Sequence, residues 1–167
     1  GGSVMMIRKE ALNSVGGQFR EYFDGLSYQD YDLSLLIAER YVSYSLPDVL
    51  YFYRQHSNST SKTISVDRLV AKEVVIRLAE QPRQRTFDDL EAGHPEPADE
   101  YFETLSKPYL RDRSKVFREY AAGFLFNRLY VNSLSSAWSA VRVKPLSWDN
   151  WRTLQYCIRQ AVLRKIC

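Results

Sequence analysis

The sequence is poor in cysteine and histidine, with 2 of each in 167 residues. A disulfide scaffold is therefore excluded, and a zinc site of closely spaced Cys and His ligands has no candidate. No apolar run approaches the ~20 residues that a membrane-spanning helix requires. The net charge of +3 is too small to indicate nucleic-acid binding by itself. What remains is a chain with 45% hydrophobic residues, which predicts a globular domain in a reducing compartment.

Glycine-rich phosphate-binding patterns are also missing. The sequence has no GxGxxG, no P-loop and no GxSxG, so the common nucleotide-binding loops and the nucleophile elbow are excluded. The Gly16-Gly17 pair has a structural interpretation. It follows a short helical pattern over residues 8–14, and glycine accepts the left-handed conformation that ends a helix.

The first part of the chain, residues 1–63, has a mixed pattern. Helical spacing over Gln29–Tyr41 is combined with three apolar, strand-like runs. These runs are Ser3–Ile7, Val42–Leu46 and Val49–Arg54. We therefore expect this part to be an α/β (mixed) domain.

The second part, residues 64–167, is expected to be an all-helical extension. Val66–Glu80 is amphipathic, and a linker rich in proline and acids follows at about 81–98. Further helices are predicted at Asp99–Ser106, Tyr109–Tyr130, Ser133–Val143 and Trp148–Ile166. The chain opens with Gly1-Gly2-Ser3 directly before an apolar run, and we expect it to be a piece of a longer protein.

Two carboxylates, Asp30 and Asp32, begin the helix predicted over Gln29–Tyr41. Residues two apart on a helix differ by about 200° in direction, so the two side chains cannot both enter one cleft. We expect one to face a ligand and the other to cap the helix or bind a neighbouring strand. The alternative is that both are ordinary acids stabilising a helix start.

Arg54 and His56 form a second candidate pair. Residues two apart on a strand share a face, so both could point at a phosphate or at a metal-bound diphosphate. Arginine suits phosphate, and neutral histidine is a common metal ligand. The alternative is a solvated strand end. His94 lies in the predicted linker and is taken as a surface residue.

Taken together, these motifs resemble a known family. The runs GGSVMMIRKEALNSVGGQF, YQDYDLSLLIAERY and LPDVLYFYRQHSNSTS are similar to the C-terminal, acceptor-side half of a family 2 glycosyltransferase. The resemblance covers residues 1–62 and rests on four motifs in the family's order. It implies a GT-A-type nucleotide-sugar transferase fold and an inverting transfer from a nucleotide-diphosphate donor to an acceptor hydroxyl.

The resemblance also implies roles for particular residues. Asp30 matches the family's general base, while Asp32 and Leu33 match the structural end of the same motif. Arg54, with Ser3 and Asp32, is implied on the donor diphosphate and substrate side, and His56 as a metal ligand. Two departures from the family pattern are Gln29, where a Glu is usual, and the inserted Gln18.

The implied cofactor is a divalent metal, Mg or Mn, bound in the complete enzyme rather than by this fragment. Its Asp-x-Asp ligands belong to the family's N-terminal half, which this chain does not match. The implied partners are that missing half, a nucleotide-sugar donor and a glycan or lipid-linked acceptor. We expect the fragment alone to be inactive, and the complete protein to be cytoplasmic, at the inner face of the membrane.

Two readings of other classes stay open. The last helix carries Trp148, Trp151 and further apolar residues with arginines between them, which suits a helical interaction module or a peripheral membrane contact. Packing on the preceding helices explains the same stripe. Nucleic-acid binding is suggested by four basic residues, Arg111, Arg113, Lys115 and Arg118. A solvated helix face explains these residues better, and no nucleic-acid partner is expected.

Overall fold

A computed structural model describes residues 5–52, 64–81 and 87–163 of the chain. Seven α-helices and one 3-10 turn, Glu21–Phe23, lie within these ranges. The helices are α1 (Lys9–Ser14), α2 (Gln29–Arg40), α3 (Val66–Glu80), α4 (Glu96–Arg111), α5 (Arg113–Phe126), α6 (Tyr130–Val143) and α7 (Trp148–Leu163).

The predicted mixed α/β fold, and with it the acceptor-side part of a GT-A-type fold, is wrong for the described residues. These residues contain helices and loops but no strand and no sheet. Residues 5–7 of the first predicted strand, all of Val42–Leu46 and residues 49–52 of the third have no regular structure. The rest of the first and third runs lies outside the described residues.

The physical reason is visible in the segment over residues 42–52. Its residues are exposed, with Phe52 at 89%, and none of its described residues takes part in a β-ladder. A strand is stabilised by its neighbour's backbone and by cross-strand side-chain pairs, not by its own sequence. The β-branched and aromatic residues here predicted a strand without any partner for it to pair with.

The chain divides into two compact units. One comprises Gly1–Thr63 and Asp67–Thr104, and the other comprises Ile64–Val66 and Leu105–Cys167. The first contains α1, α2 and most of α3, and the second contains α5, α6 and α7.

In the first unit, α1 packs against α2 through Ala11, Leu33 and Ile37. The Gly16-Gly17 pair ends α1 as the sequence predicted. Gly16 has a φ of +96°, and the N–H of Gly17 donates to the carbonyl of Leu12 at 2.9 Å. This pattern is a Schellman motif, which satisfies carbonyls that a helix end would leave unpaired.

The second unit is a three-helix packing of α5, α6 and α7. Small side chains bring the helices together, because Ala121, Ala137 and Cys157 form the buried contact. The hydroxyl of Ser133 is fully buried and donates to the carbonyl of Ala121 at 2.8 Å. Asp112 caps α5 by accepting from the N–H of Ser114 at 3.1 Å. The helices α4 and α5 therefore separate at Asp112. The sequence placed this break at residues 107–108, but Pro108 lies inside α4.

Within the described residues, none of the helices combines the length and the apolar character needed to cross a membrane.

Candidate functional site

The site begins with an unusual turn before α2. Ser27 and Tyr28 have φ values of +79° and +70°, a left-handed conformation that side chains other than glycine rarely adopt. Consecutive residues of this kind cost free energy and are found where the surrounding structure requires a particular chain path. Here the path leads directly into the first turn of α2, which carries Asp30 and Asp32.

Asp30 lies on this first turn and is partly exposed. One of its carboxylate oxygens, Oδ1, accepts the backbone N–H of Tyr31 at 2.9 Å. The unpaired N–H groups of a helix start attract negative charge, so an acid suits the first turn of α2. Asp30 therefore places a carboxylate, a group able to accept a proton from a hydroxyl, on a partly exposed turn.

Asp32, two residues later, has a different environment. It is 2% exposed, and both of its carboxylate oxygens accept from Arg20. The Nε of Arg20 donates to Oδ2 at 2.8 Å, and Nη2 donates to Oδ1. A bidentate pair of this kind fixes the orientation of both groups. Asp32 thus holds the helix start in place and is closed to solvent.

Arg20 also binds a third residue, Asp88. Its Nη1 donates to Oδ2 of Asp88 at 2.5 Å, and Asp88 is 1% exposed. Burial lowers the pKa of Arg20, but the hydrogen bonds and charges of Asp32 and Asp88 outweigh burial and raise it. One partly buried guanidinium therefore joins α2 to the loop that precedes α4.

The carboxylates around Arg20 outnumber the cations. Burial raises the pKa of Asp32 above its ordinary value of 3.8, with Arg20 opposing the rise and Asp88 adding to it. Burial likewise raises the pKa of Glu39, helped by Glu91 and Asp88. Glu91 also binds Arg40 at 2.6 Å. Asp32 and Glu39, near the two ends of α2, thus both have a raised pKa and are harder to ionise than free carboxylic acids.

The structure accounts for only some of the residues predicted from the sequence. Asp30 and Asp32 occupy one helical turn but have separate surroundings, as described above. Ser3, Arg54 and His56 lie outside the described residues. His94 is exposed at the end of the loop before α4. The role of Asp30 as general base stays a prediction, as do the donor-side roles of Arg54 and Ser3 and the metal role of His56.

Sequence reasoning missed Arg20 and Asp88. Arg20 lies 12 residues before Asp32 and 68 before Asp88, so no local spacing connects them. Asp88 falls in the stretch that composition marked as a linker, yet it is buried. Asp88 and Glu91 also bind each other's backbone N–H groups, at 2.8 and 3.4 Å. The one available signal was the Asp88-Asp89 pair directly before an apolar residue.

Metal ligands do not come together in the described part of the chain. No three His, Cys, Asp or Glu side chains there are placed to hold a metal ion. His56, the candidate metal ligand of this chain, lies outside the described residues, so the implied metal stays a prediction and we derive no step through it.

In the second unit, the basic residues between Arg111 and Arg118 do not form one uniform stripe. The Lys115 ammonium lies over the ring of Tyr109, 4.9 Å from its centre. Arg118 turns toward α7, where its Nη1 donates to Oδ1 of Asn150 at 2.5 Å. On α7 itself Cys157 is buried, while Trp148 and Trp151 are exposed.

The chain matches no family model, no curated protein and no solved structure. Its function is therefore inferred from its own residues.

Proposed function

We propose that this chain supplies the general base of an inverting glycosyltransferase, and that Asp30 is that base. In such a reaction the acceptor hydroxyl loses its proton to Asp30 as its oxygen attacks the anomeric carbon of the sugar. The nucleoside diphosphate leaves from the opposite face, so the anomeric configuration inverts. A hydroxyl is a weak nucleophile, and a positioned carboxylate accelerates such a step by about 10²–10⁴-fold.

The observation that carries this proposal is the contrast between two neighbouring acids. Asp30 is partly exposed at the positive end of a helix, whereas Asp32 is buried and bound by Arg20 at both oxygens. A catalytic base must be reachable and ionised, and it needs a rigid support. The Arg20–Asp32 pair supplies that support, and the left-handed residues Ser27 and Tyr28 fix the chain path before it.

The proposal rests on the local motifs and on this contrast, not on a shared architecture. The ordered runs quoted above support it, and the all-helical structure of the described residues adds nothing to it. We also propose that catalysis requires further polypeptide, because the quoted motifs match only the acceptor-side half of the family and the metal-binding Asp-x-Asp belongs to the other half.

The test is a transferase assay on the longest natural polypeptide that contains this chain. It is incubated with Mn²⁺ or Mg²⁺ and a panel of UDP-, GDP- and dTDP-sugars, and nucleoside diphosphate release is measured. We expect release from at least one donor, and NMR of the fresh product should show the anomeric configuration inverted. A product with retained configuration, or no release with any donor, would contradict the proposal.

A second candidate function is attachment to a membrane surface or a partner through the turn between α6 and α7. Three apolar side chains are exposed there, with Leu146 at 98%. They are Val143, Leu146 and Trp148, and Trp138 is half-exposed nearer the middle of α6. Arg142 and Lys144 lie among them in the chain, and aromatic residues beside cations suit the interface of an anionic membrane.

Vesicle co-sedimentation of the full chain tests this candidate. Replacing Leu146 and Trp148 by serine should reduce binding to vesicles of phosphatidylcholine and phosphatidylglycerol by about tenfold or more, since each loses apolar area from the interface. Val131→Ser is the control, because Val131 is also an exposed apolar side chain but lies at the other end of α6. Equal effects of both changes would rule out a specific role for the turn.

A further inference from the structure

The second unit contains a groove of about 1180 Å³ beside α5 and α7. Its walls come from the end of α5 and the turn after it, residues 118–130, and from residues 149–160 of α7. Small-molecule sites typically have volumes of about 300–1,000 Å³, so this groove is large enough for a ligand with more than one chemical part.

The charge of the groove is positive. Four arginines line it, against two acids, Glu119 and Asp149. The arginines are Arg118, Arg128, Arg152 and Arg159. The acids do not neutralise them tightly, because Asp149 approaches Arg152 only to 3.9 Å and both side chains are about two-thirds exposed. A ligand that enters this groove meets a surplus of guanidinium groups, which favours an anion.

Arg118 is held in position by a buried side chain. Asn150 is fully buried, and its amide N–H₂ donates to the carbonyls of Ala140 and Lys144, both at 2.9 Å. This fixes its Oδ1, which accepts from Nη1 of Arg118 at 2.5 Å. Ser114 Oγ is a weaker acceptor for the same Nη1 at 3.3 Å. The guanidinium is therefore oriented before any ligand arrives.

Both of these partners are neutral oxygens. Among the described residues, no carboxylate lies within ion-pair distance of Arg118. A partly buried guanidinium without a counter-ion has lost hydration that a neutral acceptor only partly replaces. An oxyanion that binds its remaining N–H groups would supply the missing counter-charge and hydrogen bonds. The planar guanidinium can bind two phosphate oxygens at once.

The rest of the groove is apolar and aromatic. Leu125, Phe126, Tyr130 and Tyr156 contribute to its lining, and Phe126 and Tyr156 are exposed. Inorganic phosphate alone would leave these side chains in water. They suit an alkyl or aryl group attached to the anion.

We propose that this groove binds a phosphate monoester that carries an apolar group, with Arg118 as the central phosphate ligand. Arg159 adds a second positive charge from α7, and the apolar lining receives the organic part. The phosphate can belong to a soluble aryl or alkyl ester or to the headgroup of a phospholipid. The inference uses no part of the Asp30 site and does not rest on the proposed glycosyltransferase function.

Titration calorimetry on the full chain tests the proposal with three probes. They are inorganic phosphate, phenyl phosphate, and dihexanoyl phosphatidic acid below its micelle concentration. We expect phenyl phosphate or the phosphatidic acid to bind more tightly than inorganic phosphate. Tighter binding of phenyl phosphate indicates a soluble ester, and tighter binding of the phosphatidic acid indicates a lipid headgroup.

Three variants locate the binding. Arg118→Gln should weaken binding of the better probe by about tenfold or more, because a charge-assisted bond is lost. Arg159→Gln should weaken it less. Arg113→Gln is the matched control, since Arg113 is exposed at the start of α5 and does not line the groove, and it should bind as the unchanged protein does.

Circular dichroism shows whether each variant is folded. If Arg118→Gln does not fold, Arg159→Gln and Arg152→Gln still test the groove, because both side chains are exposed. The proposal is overturned if no probe binds, if inorganic phosphate binds as tightly as the esters, or if the Arg113 control loses as much affinity as the groove variants.

Discussion

Arg20 binds both carboxylate oxygens of the buried Asp32, and this pair fixes the turn of α2 that presents Asp30 to solvent. The two acids of one motif thus have different environments: Asp32 is buried and bound by Arg20, whereas Asp30 is partly exposed. The pair makes clear predictions about stability that can be separated from predictions about catalysis.

Loss of the Arg20 side chain should strongly destabilise the fold. Arg20→Ala leaves Asp32 and Asp88 buried without their cation, and removal of one partner from a buried ion pair costs about 3–5 kcal/mol. Arg8→Ala is the matched control, because Arg8 is exposed and surface changes usually stay within about 0.5 kcal/mol. Urea unfolding measures both. A loss below about 1 kcal/mol for Arg20→Ala would show that the ion pair does not hold the unit together.

The raised pKa values of Asp32 and Glu39 predict a pH dependence. Above their ordinary values of 3.8 and 4.5, the folded chain retains protons that the unfolded chain has released. The free energy of unfolding should therefore fall as pH rises from those values through the raised ones. The Asp32→Asn, Glu39→Gln double variant lacks both titrations. Unfolding measured across this pH window should show the unchanged protein losing stability relative to the variant, and the opposite slope would refute the assignment.

Two glycine-to-alanine substitutions should change the free energy of unfolding in opposite directions. At Gly16 the φ of +96° strains any side chain although no atom lies within 4 Å, so Gly16→Ala should destabilise by about 1 kcal/mol. Gly123 lies within α5, with open space around its Cβ position. Gly123→Ala should therefore stabilise by about 0.5–1 kcal/mol. Thermal unfolding distinguishes them, and shifts of the same sign would contradict the backbone argument.

Asn150 should be important for the second unit. Asn150→Ala removes the amide that binds the carbonyls of Ala140 and Lys144 and orients Arg118, so unpaired buried groups should cost about 2–3 kcal/mol. Asn127→Ala is the control, because Asn127 is exposed and its side chain makes one bond, to the carbonyl of Gly123. Its loss should stay near 0.5 kcal/mol. Equal losses of unfolding free energy for the two variants would show that the buried hydrogen bonds of Asn150 contribute no more than an exposed one.

The helices were largely predictable because their signals are local. The bounds of α3 match the prediction, and Gly16-Gly17 ends α1 as expected. The start of α2 at Gln29 also matches, since acids in a first turn are a sequence-readable signal.

The absence of strands from the described residues and the contacts of Arg20 were not predictable, and the reason is the same for both. A strand needs a partner that can be distant in sequence, and at Val42–Leu46 the strand was predicted from residue type alone. The bonds from Arg20 to Asp88 likewise span 68 residues. Periodicity reports which face a residue occupies, but it does not report which distant residue meets it.

The most direct test of the proposed function is the turnover of Asp30→Asn in the complete enzyme, with the best donor from the panel. The variant keeps the shape of the side chain and removes its basicity, so kcat should fall by about 10²–10⁴-fold while unfolding is nearly unchanged. Asp67→Asn is the matched control, a first-turn acid of α3, and should keep full activity. Near-normal turnover of Asp30→Asn would contradict the assignment of Asp30 as the base.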